Sequence, residues 1–141
     1  MENVNYHVFN GTEIFPEFRY NDSAMARICM LNPPFVDDFV RSARWYARSR
    51  GRVQRHPDYM LIATAVLEEA GHEVLFVDGA ALNLKQPQVL DEVGRFRPDL
   101  CVLHTTTPSI DSDIGYARVL KEHTGAFTVL IGNHVTAEPD D

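Results

Sequence analysis

The chain has 141 residues, 45% of them hydrophobic and 23% charged, which suits one globular domain able to fold without disulfides or a structural metal. Its formal charge of -7, from 13 basic and 20 acidic side chains, argues against a whole-surface attraction to nucleic acid or anionic lipid. No run approaches the roughly 18 apolar residues of a membrane span, and the polar start MENVNYHVFNGTE lacks the layout of a signal peptide. The sequence therefore reads as cytoplasmic, with no membrane span and no nucleic-acid partner.

Residues 1–25 read as an N-terminal extension. Within it HVF, Asn10-Gly11 and TEIF predict a small β-hairpin, because Asn-Gly readily adopts the positive φ of a tight turn. From residue 26 to 141 short continuous apolar runs alternate with helical stretches, the mark of parallel strands buried on both faces. The first strand, RICML, ends at Asn32-Pro33-Pro34. A long connection follows in which six of the eleven arginines (Arg41, Arg44, Arg48, Arg50, Arg52 and Arg55) occur without an acid among them. Such a stretch is either a solvated loop or a cover for an anionic ligand or a docking partner.

The next helix is expected to bury Tyr59, Ile62, Ala63, Val66, Leu67 and Ala70, and to close at Gly71. EVLFVD is the second strand, and a helix from about Pro87 to Arg97 turns Val89, Leu90, Val93 and Phe96 inward. LCVLHT is the third strand. A third helix carries Ile110, Ile114, Ala117 and Leu120 and stops at Gly125, before the fourth strand, FTVLI, which ends at Gly132. The predicted fold is thus α/β, a three-layer Rossmann-like domain with a parallel sheet of about four strands in the order βαβαβαβ, preceded by the hairpin. Doubly wound sheets usually have five or more strands, so the expectation is a small domain or the front part of a longer protein. Cys29 and Cys101 sit inside strand-like runs and read as buried thiols.

Ligands of open α/β sheets bind beyond the carboxyl ends of the strands, where loops and helix N-termini converge. Three segments meet that description: Asn32, Pro33, Pro34 and Phe35; Thr105, Thr106, Thr107, Pro108 and Ser109; and Gly132, Asn133 and His134. The hydroxyls of the second could hold an anion at a helix start, or Ser109 or Asp111 could simply cap that helix. Gly132 permits close backbone approach, and His134 could bring an imidazole to the same space. No His/Cys spacing suits zinc, so no metal ligands and no catalytic residues are assigned. The dinucleotide, P-loop and hydrolase-elbow motifs are missing, and the acids of a response regulator are replaced by Asn32-Pro33-Pro34 and His104-Thr105.

Five segments in order, LNPP, LEEAGHEVLFVD, RPDL, TTTPS and IGNHVTAEPD, resemble the N-terminal cobalamin-binding domain of radical S-adenosylmethionine enzymes. That group includes magnesium-protoporphyrin ester cyclases and cobalamin-dependent methylases. The resemblance covers residues 27–141 and implies a flavodoxin-like domain that places cobalamin (vitamin B12) over its strand ends, with the three segments named above around it. It further implies a C-terminal radical SAM domain as partner, holding a 4Fe-4S cluster and S-adenosylmethionine through a Cys-x-x-x-Cys-x-x-Cys motif that this sequence lacks. The D-x-H-x-x-G motif is also missing, which implies cobalt with no protein histidine beneath it. The other expectations are a cofactor-free docking domain of the same fold, or an unrelated small Rossmann-like enzyme.

Overall fold

A computed structural model describes residues 25–41, 47–48 and 55–139. The hairpin expected over residues 7–15 and most of the arginine-rich stretch lie outside them. In chain order the elements are β1 (Arg27–Asn32), β2 (Phe39–Val40), β3 (Ala47–Arg48), α1 (Asp58–Glu69), β4 (Glu73–Asp78), α2 (Gln86–Phe96), β5 (Leu100–Thr105), a 3-10 turn (Thr107–Ser109), α3 (Ile110–Thr124), β6 (Phe127–Gly132) and α4 (Asn133–Ala137).

The four long strands form one parallel sheet in the order β4-β1-β5-β6. Strand order therefore reverses between β1 and β5, the flavodoxin-like arrangement in which the connections after those two strands leave toward opposite faces. Pleating sorts the side chains. Cys29, Leu31, Cys101 and Leu103 point to one face, where they pack with Val89 and Val93 of α2 and Tyr116, Ala117 and Leu120 of α3. Ile28 and Met30 point to the other, under Met60, Ala63 and Leu67 of α1. Cys29 and Cys101 are register partners across β1 and β5 and wholly buried, and the side-chain hydrogen bond with Cys101, then burial, raise the Cys29 thiol far above the ordinary range.

Two features differ from the sequence reading. β2 and β3 form a separate antiparallel pair, with Phe39 opposite Arg48 and Val40 opposite Ala47, inside the stretch read as a plain connection. The α1 face is also turned about its axis. Met60 and Thr64 are buried while Ile62 and Val66 are 65% and 58% exposed. Two overlapping apolar stripes share this helix, and the winning one contains a polar residue whose burial is cheap, since the Thr64 hydroxyl donates to the Met60 carbonyl at 2.9 Å.

At the end of β6, Gly132 has φ +139, and a Cβ there would lie 2.1 Å from the Thr105 carbonyl oxygen. The ends of β5 and β6 approach this closely only because residue 132 has no side chain. Gly132→Ala is expected to cost about 2–4 kcal/mol in urea denaturation, from overpacking plus backbone strain. Gly115→Ala, in the interior of α3 with nothing near its Cβ position, should instead stabilise by about 0.5–1 kcal/mol.

Candidate functional site

The strand order brings the three sequence-predicted segments to one end of the sheet. Asn32 ends β1, Thr105 ends β5 and Gly132 ends β6, with Thr105 and Gly132 in register. Phe35 lies on the rim of this end at 37% exposure, and Thr107, Pro108 and Asn133 are also exposed. Pro33 is buried and Pro34 half-buried.

The hydroxyls of the second segment turn inward. Thr105 Oγ1 donates to the Ile131 carbonyl at 3.1 Å, and the Thr106 and Ser109 hydroxyls are 2.8 Å apart. Ser109 stands at the N-cap position of α3 without capping it. Its Oγ donates to Asp113 Oδ2 at 2.6 Å, so it positions a buried carboxylate. His134, read as a loop residue, lies on α4, buried, with Nδ1 3.4 Å from Thr107 Oγ1.

That carboxylate has a cationic partner. Arg41, one residue beyond β2, is 1% exposed; it donates from Nη2 to Asp113 Oδ1 at 2.6 Å and from Nη1 to the Pro33 carbonyl. Its guanidinium carbon lies 5.5 Å from the centre of the Phe39 ring and 6.0 Å from that of Phe35. The cation thus joins the loop after β1 to the first turns of α3, across the strand reversal. Burial lowers the Arg41 pKa and raises that of Asp113, while their mutual attraction opposes both shifts. Arg41 enters the sequence reading only as one of the six arginines of that stretch, and Asp113 does not enter it. Six arginines in one stretch look alike, and an aspartate near a helix start usually reads as an exposed partner of the helix dipole.

Two further groups complete the constellation. Asn32 Nδ2 donates to Asp78 Oδ1 at 2.8 Å, leaving Asn32 Oδ1 buried with no hydrogen-bond partner among the described residues. The His104 ring, 2% exposed, is hydrogen-bonded to the Tyr59 hydroxyl, with the two rings edge to face at 4.9 Å. Burial, reinforced by the Arg41 charge, pulls the His104 pKa down to about 4, so this imidazole is neutral at pH 7. Beside the rim a cleft of about 150 Å³ is lined by Pro34, Phe35, Gly79, Ala80 and Lys85 among others. Among the described residues no three histidine, cysteine or carboxylate side chains gather as a metal site would require.

Asp113→Ala should cost about 3–5 kcal/mol in denaturant unfolding, because it strands a buried guanidinium. Replacing both partners, Arg41→Met with Asp113→Leu, should recover most of that loss; a loss below about 1 kcal/mol for Asp113→Ala would instead mean a solvent-screened pair. For His104 the folded pKa, about 4, lies below the unfolded value of 6.5, so only the unfolded chain takes up the proton between them. Its contribution is fully present above pH 6.5 and is lost as pH falls, by about 3 kcal/mol at pH 4. His104→Gln should flatten that part of the stability profile.

Compared with known proteins, the chain matches no family model, no curated protein and no solved structure.

Proposed function

We propose that the chain is a cobalamin-binding accessory domain of the kind that precedes the catalytic domain of radical S-adenosylmethionine enzymes. The observation that carries this reading is the convergence of the three segments at the C-terminal end of a sheet of order β4-β1-β5-β6. Support also comes from the five family-like segments, LNPP to IGNHVTAEPD, in their order along the chain.

The residues present fit such a group at the rim. The corrin ring carries amide side chains that both donate and accept hydrogen bonds, and Asn32 Oδ1 is a buried acceptor with no hydrogen-bond partner among the described residues. Phe35 offers an apolar surface, and Thr107 and Asn133 offer exposed polar groups. Below the rim, Arg41 fills the crevice between β1 and α3, so the group would rest above that cation. When bound, cobalamin supplies cobalt–carbon chemistry, and the protein's part is binding and orientation. Its partner would be a radical SAM domain with its own iron–sulfur cluster, and its compartment the cytoplasm.

A second reading, a docking domain of the same fold without cofactor, is favoured by one specific observation. The hydroxyls of Thr105, Thr106 and Ser109 are already committed to protein partners.

Titration with hydroxocobalamin, followed by the corrin absorbance, separates the two. The cobalamin reading expects saturable binding that weakens about tenfold, or ~1.4 kcal/mol, in Asn32→Leu, which keeps the side-chain size but removes both the acceptor and the Nδ2 hydrogen bond to Asp78. Absence of binding at millimolar cofactor would favour the docking domain.

A further inference from the structure

The cleft of about 150 Å³ beside the rim lies between two loops, one following β1 and the other joining β4 to α2. The loops are tied together at two points. The Gly79 N–H donates to the Asn32 carbonyl at 2.9 Å, and a Cβ on Gly79 would lie 2.9 Å from Pro34 Cδ. Further along, the Asp38 N–H donates to Asn83 Oδ1 at 3.4 Å, and both residues hold left-handed backbone, at φ 61 and φ 49. Backbone of that kind persists where its surroundings dictate it, so the walls of the cleft are fixed by the packing of the loops themselves.

The lining is chemically divided. Phe35, Val36, Ala80 and Leu84 make it apolar, while Asp37 and Lys85 place one charge of each sign on it. Lys85 Nζ donates to Asp37 Oδ1 at 3.4 Å, and both side chains are largely exposed. A long, exposed pair of this kind contributes little by itself, and its ammonium and carboxylate keep capacity for further hydrogen bonds. Gln86, also on the cleft, is the first residue of α2, and an N–H at that position has no acceptor within its helix.

We propose that the cleft binds a small apolar α-amino acid as its zwitterion. The carboxylate takes Lys85 and the Gln86 N–H, where the helix dipole also favours negative charge, and the ammonium takes Asp37. The side chain occupies the apolar lining. An apolar acid would set its charge against Asp37, and an apolar amine would set its charge against Lys85. A ligand carrying both charges side by side meets both. Size agrees, since a cavity of about 150 Å³ holds a body as large as benzene and therefore accepts a leucine side chain. The inference is independent of cobalamin. The cleft shares Phe35 with the rim but lies on the β4–β1 side of the sheet, away from the ends of β5 and β6.

The test follows amide chemical shifts of the full chain during titration with L-leucine. Saturable changes are expected at residues 34–37 and 79–86, half complete at about 1 mM or below, while residues 105–109 and 132–134 stay unmoved. Lys85→Met and Asp37→Asn, both at exposed side chains, should each weaken binding about tenfold and leave the rest of the spectrum in place. Isocaproate and isoamylamine, which carry the leucine side chain with one charge each, should bind about tenfold more weakly than leucine or worse. Unmoved amides at tens of millimolar leucine overturn the proposal. So does isocaproate or isoamylamine binding as tightly as leucine, which would make the cleft an apolar pocket indifferent to the charged end.

Discussion

A guanidinium taken wholly out of water is tolerated only where its charge and its N–H groups are met, and here Asp113 and the Pro33 carbonyl meet them. Much of this end of the molecule is arranged around that requirement. The chain after β1 must turn back so that β2 delivers Arg41 over the strand ends, with Phe35 and Phe39 beside it. On the far side Ser109 holds the second oxygen of Asp113, and Thr106 holds Ser109. The loops of β1 and β5, on opposite sides of the strand reversal, are thereby fastened to each other.

That fastening decides what kind of site the sheet can offer. In an open doubly wound sheet the reversal point is a crevice, whereas here its depth is taken by an ion pair and a set of satisfied hydroxyls. What stays exposed at this end is a rim of Phe35, Thr107, Pro108 and Asn133, while Asn32 Oδ1 is buried with no hydrogen-bond partner among the described residues. Gly132 matters to the rim through the protein's own packing, by letting β6 close against Thr105 so that Asn133 and His134 start beside the other loops. A neutral His104, shielded by Tyr59 and facing the Arg41 charge, belongs to the support beneath the rim.

The four long strands were legible because each is an unbroken apolar run bounded by Gly, Pro or Asn, and the short α2–β5 and α3–β6 junctions left little doubt about their order in the chain. The inner face of α2 was equally clear, since Val89 and Val93 sit among polar neighbours. In α1 the same logic failed. Apolar residues nearly surround that helix, and the choice of stripe was made by tertiary contacts between Met60 and the β1 side chains Ile28 and Met30. The positions of the three site segments followed from strand ends alone. Their chemistry did not, because whether a hydroxyl faces solvent or a buried carboxylate depends on Arg41, which is 72 residues away from Asp113 in sequence.

The central claim is that the rim at the strand ends is a cobalamin platform. Mapping amide chemical-shift changes across the folded chain on addition of hydroxocobalamin addresses it most directly. The account predicts changes concentrated at residues 32–35, 105–109 and 132–134, with the outer faces of α2 and α3 unmoved. Changes scattered over the surface, or centred on the cleft between α2 and His123, would contradict it.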